Sequence, residues 1–414
     1  MRKFLFSVFA GGFIFANAQP VEIFGTVIGT AACFDYQTNT MSTTANTAAN
    51  LFDNDLHTYF ATNQRSGGWA GLDFGKKHVI TRVEYGASDL PERLLLGIFE
   101  GGNLADFSDA IPLLLVTDRE IQPFQFGGQD VTCSRGFRYV RFIGPNDSRC
   151  KISELKFFGY ESDGDDSNLY QLTNLPTVII HTIDAQPVTS KEVYIKGAVS
   201  IISDNGTNFF SSNIDIRGRG NMSWTHPKKP YRMKLAQKAS PLGLPATERN
   251  WTLINNYGDK TLMRNLLAFD LSRKMEMPYT PAGVAVDVIL NGEYQGTYQL
   301  CDHIEVATAR VNIDKMKASD TSLPALSGGY FLEIDAYADT EPVKFYTSRW
   351  NIPVVIKSPD DDVIVDAQKE YIKNHFENML TALASFDYKN PNTGYRKYMD
   401  MQTVVRQFLI GEIS

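Results

Sequence analysis

The sequence predicts an all-β sandwich over residues 22–160 and an α+β domain over 169–414, joined by a linker at 161–168. Three observations carry that prediction. Before residue 161, short segments rich in β-branched and aromatic residues recur between turn signals, and no amphipathic stretch reaches three helical turns. The run ESDGDDSN at 161–168 is polar, acidic and without apolar periodicity, which is the composition of a linker. Beyond it, strand-like alternation and helix-like periodicity interleave.

Taken in order, the chain opens on Arg2 and Lys3, an apolar stretch over 4–15, and Ala16-Asn17-Ala18, a small-x-small cleavage signal. This predicts a signal peptide at 1–18, hence a secreted protein, whether periplasmic, cell-surface or extracellular. The apolar run is too short to span a bilayer, and no later run is long enough, so no transmembrane segment is expected. The absence of a Cys after the cleavage site argues against a lipoprotein. In the sandwich, strands are expected at 78–85, 112–116, 137–143 and 152–158. In the second domain they are expected at 177–181, 192–202, 213–217, 231–235, 284–290 and 294–300. Asn291-Gly292 joins the last two, because this pair accepts the positive φ angles of a tight hairpin turn. Helices are expected at 262–274, 366–386 and 400–413; in the second, Ile372, Phe376, Leu380 and Leu383 share a face.

At 414 residues and 43% hydrophobic, the chain can fill two sizeable cores. Its net charge of -7 becomes -9 once Arg2 and Lys3 leave with the signal peptide, which argues against a nucleic-acid partner. Export permits disulfides. Cys33 could pair with Cys150, or Cys133 with Cys150, or all four cysteines, Cys301 included, could be buried thiols.

The motifs ANLFDNDLHTYFAT at 49–62, GWAGLDFG at 68–75, FRYVRFIG at 137–144 and ISELKFFG at 152–159 resemble the discoidin (coagulation factor 5/8 type C) family. The resemblance implies a galactose-binding-like jelly roll that binds a glycan or another surface ligand through loops at one end. Asp53, Asp55 and Thr58 place three oxygen side chains in one turn, which suits a hard cation. In the family such a turn often holds a structural Ca²⁺ with a carboxylate from near the domain's end, here Glu154. Asn54 stands where the family usually has Gly, and the rival reading is an acidic turn capped by its own side chains. Trp69 matches a core position.

The second domain carries an ordered set of motifs: DIRGRGNMSW at 215–224, PKKPYRMKL at 227–235, LGLP at 242–245, WTLINNYGDKTLMRN at 251–265 and NGEYQGTY at 291–298. Together they resemble the CotH family of atypical secreted kinases. The residues themselves point the same way. From Asp215 to Lys238 seven basic residues stand against one acid, which makes an anion site in a chain of negative net charge. Gly218 and Gly220 would let backbone amides approach a phosphate. Arg232 and Lys234 alternate with Met233 and Leu235, so both cations share one strand face. The rival is a solvated basic strand. The resemblance implies an atypical protein-kinase-like fold, ATP with Mg²⁺ or Mn²⁺, and a protein substrate with Ser or Thr hydroxyls. Arg217, Arg219, Lys229, Arg232 and Lys234 would grip the phosphates, with Lys234 as the kinase lysine and Arg264 as a further candidate. Asp259 is read as a cap for the helix that follows it.

Glu333 and Asp335 are expected on one face of a strand, where paired carboxylates could hold metal or activate a hydroxyl. They could equally form ion pairs with the basic strand. The acidic run at 360–362 is expected to cap the next helix or face solvent. In the family, a helix resembling 404–413 continues into an Asn-x-Asp segment, and a later strand carries a Trp-Asp-x-Asp motif. Both would lie beyond Ser414, so either a fragment of a longer chain or a truncated form without the catalytic carboxylates is expected. Two other functions compete: a non-catalytic carbohydrate-binding adhesin or scaffold, and a hydrolase using Glu333 and Asp335, whose spacing on one strand is poorly suited to flank a glycosidic bond.

Overall fold

A computed structural model describes residues 21–107, 109–165 and 170–413. The predicted signal peptide and residues 166–168 of the predicted linker lie outside the described residues. The chain forms two compact units, one built mainly from residues up to Ile179 and the other mainly from residues beyond it.

The first unit is an antiparallel, jelly-roll-like sandwich of β1 (Val21–Ile23), β2 (Thr26–Gly29), β3 (Cys33–Asp35), β4 (Thr40–Ser42), β5 (Trp69–Gly86), β6 (Ile98–Gly102), β7 (Ile111–Leu115), β8 (Phe126–Asp130), β9 (Gly136–Ile143) and β10 (Glu154–Glu161). Its main sheet runs β1-β10-β5-β9-β6-β7, with β2 and β8 also paired to β5. The long β5 serves both halves. Residues 69–73 pair with β2 and β9, while 82–86 pair with β10 and β8. Gly71 permits the approach of β9, since a Cβ there would sit 1.9 Å from the Val140 carbonyl oxygen. The core is aromatic: Phe60, Phe99, Phe137, Phe142 and Phe157 are fully buried. Trp69 packs edge-on against Phe107, as expected of a core position.

The second unit opens on a closed barrel of β11 (Thr177–Thr182), β12 (Ile195–Ser203), β13 (Asn208–Gly218), β14 (Tyr231–Ala239), β15 (Glu248–Ile254), β16 (Gly283–Leu290) and β17 (Glu293–Asp302), in the order β11-β12-β13-β14-β15-β17-β16. Asn291 and Gly292 adopt φ of 51° and 80°, forming the expected hairpin turn between β16 and β17. Between strands lie the short α1 (Met222–Thr225) and α2 (Arg264–Lys274). A three-stranded sheet follows, β18 (Phe331–Ile334) and β19 (Lys344–Tyr346) flanking β20 (Pro353–Ser358), then α3 (Asp366–Ala384) and α4 (Met401–Ile413). Ile372 of α3 packs with Val343, Ile356 and Ile364, so the predicted helical face does meet this sheet. The unit is richer in strand than its α+β pattern implied, because the barrel closes on itself.

All four cysteines are buried free thiols, which corrects both proposed pairings. Burial pushes the Cys150 and Cys301 thiols up to about 12.

Candidate functional site

In the second unit, alternation on β14 sets the site. Tyr231, Met233 and Leu235 are buried in the barrel while Arg232 and Lys234 are half-buried on the opposite face. That face lines a cleft of about 930 Å³. Arg219, Arg232, Lys234, Lys315 and Lys357 line it, together with His303, Glu305, Glu333 and Asp360 and an apolar set of Ile254, Phe269, Pro281 and Ile304.

The carboxylates of this cleft are largely matched inside the protein. Glu248 pairs with Lys238, Glu333 with Lys357 at 3.8 Å, and Asp302 and Glu305 both with Arg310. No carboxylate among the described residues pairs with Arg219, Arg232 or Lys234. Arg232 Nε is buried without a hydrogen-bond partner. Burial, and then the positive charge of Arg232 and neighbouring guanidinium groups, push His303 down to about 3. Burial likewise lowers Arg219 and Arg232. Crowded, half-desolvated cations of this kind are the electrostatic complement of a polyanion.

The cleft thus gathers Arg219, Arg232, Lys234 and Glu333 from the residues singled out in the sequence. The others point elsewhere. Arg217 donates to the Lys191 carbonyl and lies over the Tyr194 ring. Lys229 donates to the Trp224 carbonyl at 2.8 Å. Arg264 sits at the exposed start of α2, 3.8 Å from Asp259. Asp259 caps that helix as expected, accepting from the Thr261 and Arg264 amides, and these bonds lower it to about 2. Gly218 leaves room for a ring rather than for a phosphate, since a Cβ there would lie 2.3 Å from Trp224. Strand β18 ends at Ile334, and Asp335 turns to accept from the Tyr337 amide at 2.9 Å, so Glu333 and Asp335 are not a facing pair. Asp360 is exposed, as expected of a residue that faces solvent, and also lines the cleft.

Among the described residues, no three His, Cys, Asp or Glu side chains converge as a metal site. Glu333 lies 3.8 Å from Lys357, which also donates to Glu341 at 3.2 Å, and Asp335 accepts from the Tyr337 amide, so the expected Glu333 and Asp335 pair does not share one metal position. In the sandwich, Asp53 and Glu154 share the Asp55 amide, and Thr58 donates to Asp53 at 2.8 Å. Burial and the neighbouring Asp53 push Glu154 up to about 7. The Asp55 carboxylate turns to the His57 amide instead. Two facing carboxylates and a hydroxyl are oxygen donors suited to a hard cation, with Asp55 outside the set.

Sequence reasoning missed a second constellation at the loop end of the sandwich. Lys151 pairs with Asp89 at 2.5 Å and lies over the Tyr36 and Tyr59 rings, and Arg93 donates to the Tyr36 hydroxyl at 2.9 Å. No local motif announces it, because four separate loops supply its members.

The family model described as CotH kinase protein matches residues 216–414. Residues 216–414 are a CotH kinase domain. The CotH domain thus begins within β13 and takes in the whole cleft lining. In the N-terminal part, the structural neighbours are carbohydrate-binding modules. One is CBM62 from Clostridium thermocellum Xyl5A, 38% identical, covering 34% of this chain and 98% of that one, with a TM-score of 0.31. Another is the CBM32 of AlyQ in complex with 4,5-unsaturated mannuronic acid, 19% identical, covering 33% and 98%, with a TM-score of 0.26. CpGH89CBM32-6 produced by Clostridium perfringens is 17% identical over 33% and 93%, with a TM-score of 0.23. No curated protein matches the chain. Among the described residues, no helix is long and apolar enough to cross a membrane.

Proposed function

We propose that the CotH domain binds ATP by its phosphates in the cationic cleft and transfers the terminal phosphoryl group to Ser or Thr hydroxyls of a protein. The sandwich brings it to a glycan at a cell surface or in the extracellular space. One observation carries the nucleotide reading: Arg219, Arg232 and Lys234 converge on a cleft in which Asp302, Glu305 and Glu333 pair with other cations. Charge neutralisation is the main demand of phosphoryl transfer, and three unmatched cations supply part of it. The apolar wall of Ile254, Phe269 and Ile304 suits a flat base.

For the glycan, the Tyr36, Tyr59, Asp89 and Arg93 cluster offers aromatic faces beside planar hydrogen-bonding groups, the chemistry that holds a sugar ring. The similarity to carbohydrate-binding modules supports the same reading. A Ca²⁺ between Asp53 and Glu154 would tie the turn at residues 53–58 to β10.

Titration calorimetry with ATP on the full chain and on Lys234→Ala tests the first part. Binding that is lost in the variant supports the cleft. No binding by folded protein makes the domain a non-catalytic binding module. Incubation with labelled ATP and candidate extracellular proteins then reads transfer. Glycan binding that is lost in Tyr36→Ala and kept in Lys234→Ala tests the second part.

A further inference from the structure

The cleft contains a carboxylate, Glu305, close to Arg232, one of the three cations on which the nucleotide reading rests. A carboxylate bonded directly to Arg232 would cancel its charge. Instead a chain of hydrogen bonds separates the two. Arg232 Nη2 donates to Asn250 Oδ1 at 3.2 Å, and Asn250 Nδ2 donates to Glu305 Oε2 at 2.8 Å. Glu305 in turn accepts from Arg310 through its other oxygen. Arg310 is fully buried, also pairs with Asp302 at 3.1 Å and donates to the Asn250 carbonyl at 2.8 Å. Its guanidinium lies over the buried Trp251 ring, 4.9 Å from the centroid.

The consequence follows from hydrogen-bond polarity. An amide has one acceptor end and one donor end, and Glu305, an acceptor only, takes the donor end. The carbonyl end is therefore left facing Arg232. It orients the guanidinium without neutralising it, while Glu305 and Asp302 direct their ion pairs to Arg310 rather than to Arg232. Arg232 keeps a full positive charge and an unpartnered Nε in a half-buried site.

We propose that Asn250 is a positioning residue: a neutral spacer, locked by Glu305 and Arg310, that aims Arg232 at an anionic ligand while keeping its charge available. This rests on the reading of the cleft as a phosphate site and names how that site is kept charged. It makes an unusual demand on variants. Aspartate cannot donate to Glu305, so either role lets Asn250→Asp destabilise the fold, but for the affinity of folded protein a purely structural role predicts that Asn250→Asp binds no more weakly than Asn250→Ala. The spacer role predicts the reverse, because an introduced carboxylate both pairs with Arg232 and repels Glu305.

The experiment is calorimetric titration of the full chain with inorganic tripolyphosphate at constant ionic strength and neutral pH, using wild type, Arg232→Ala, Asn250→Asp and Asn250→Ala. Loss of one charge-assisted contact should weaken binding about tenfold or more in Arg232→Ala and in Asn250→Asp. Asn250→Ala should be affected less than Asn250→Asp. Binding in Asn250→Asp equal to or better than in Asn250→Ala overturns the spacer, while the Arg232→Ala loss leaves the phosphate reading standing. No binding by folded wild type overturns both. Should Asn250→Asp fail to fold, Glu305→Gln serves in its place. It frees the Asn250 amide to turn and should weaken tripolyphosphate binding, and unchanged affinity refutes the lock.

Discussion

His303→Gln gives the sharpest physical test of the cleft's electrostatics. Burial first, then Arg232, Arg219, Arg310 and Arg217, hold the His303 imidazole at about 3, against an ordinary value of 6.5. A folded-state value below the unfolded one means that, between pH 6.5 and 3, the unfolded chain takes up a proton that the folded chain refuses. His303 therefore costs nothing above pH 6.5, and stability is lost as pH falls below it. Between pH 6.5 and pH 4 lie 2.5 pH units, each worth about 1.4 kcal/mol, so the folded barrel should lose roughly 3 kcal/mol at pH 4 through this residue alone. Glutamine cannot take up that proton. Carboxylates elsewhere titrate alike in both chains and cancel in the difference. Hydrogen exchange of β14 and β17 amides at pH 7 and pH 4 reports the stability of the barrel itself. Wild type should lose roughly 3 kcal/mol more than His303→Gln over that interval, and Arg232→Ala should narrow the gap by removing the strongest single cationic repulsion on the imidazole. Equal losses in wild type and His303→Gln would refute the argument that guanidinium crowding and burial keep the imidazole neutral.

Three further outcomes are expected. Arg141→Met strands the fully buried Glu100 carboxylate, to which Arg141 donates at 2.7 and 2.9 Å, and should cost the sandwich about 3–5 kcal/mol in urea unfolding. Adding Glu100→Leu should recover most of that loss, because two apolar groups leave no uncompensated charge; a loss of under ~1 kcal/mol in the single variant contradicts the burial argument. Calcium should raise the melting temperature of wild type and leave Glu154→Gln unmoved, and equal responses would remove Asp53 and Glu154 as its ligands. A thiol reagent should find no reactive cysteine in the native chain and four in denaturant, whereas fewer than four after unfolding without reductant would point to a disulfide.

Much of the architecture was legible locally. The period-two alternation of Arg232 and Lys234 with Met233 and Leu235 placed both cations on one strand face, and the barrel presents that face to the cleft. Asn291-Gly292 marked its hairpin because few pairs tolerate two positive φ angles in succession. Alternation says which face a side chain takes, but not what stands opposite. Arg217 stands on β13 two residues before Arg219, yet Lys191 and Tyr194 claim it. Asp335 fitted a period of two only while the strand was assumed to continue past Ile334.

What the sequence determined by itself were properties set by neighbours along the chain: the strand faces, the turn, the cap at Asp259 and the ordered CotH motifs. Tertiary structure alone decided which charges meet. Arg232 and Asn250 come together because β14 pairs with β15, and Glu305 and Arg310 reach Asn250 from the segment after β17, across separations of 18, 55 and 60 residues. Tyr36, Asp89, Arg93 and Lys151 meet because the sandwich gathers their loops at one end. Register and loop closure are long-range facts. The balance between matched and unmatched charge, on which the cleft depends, exists only once the strands are paired.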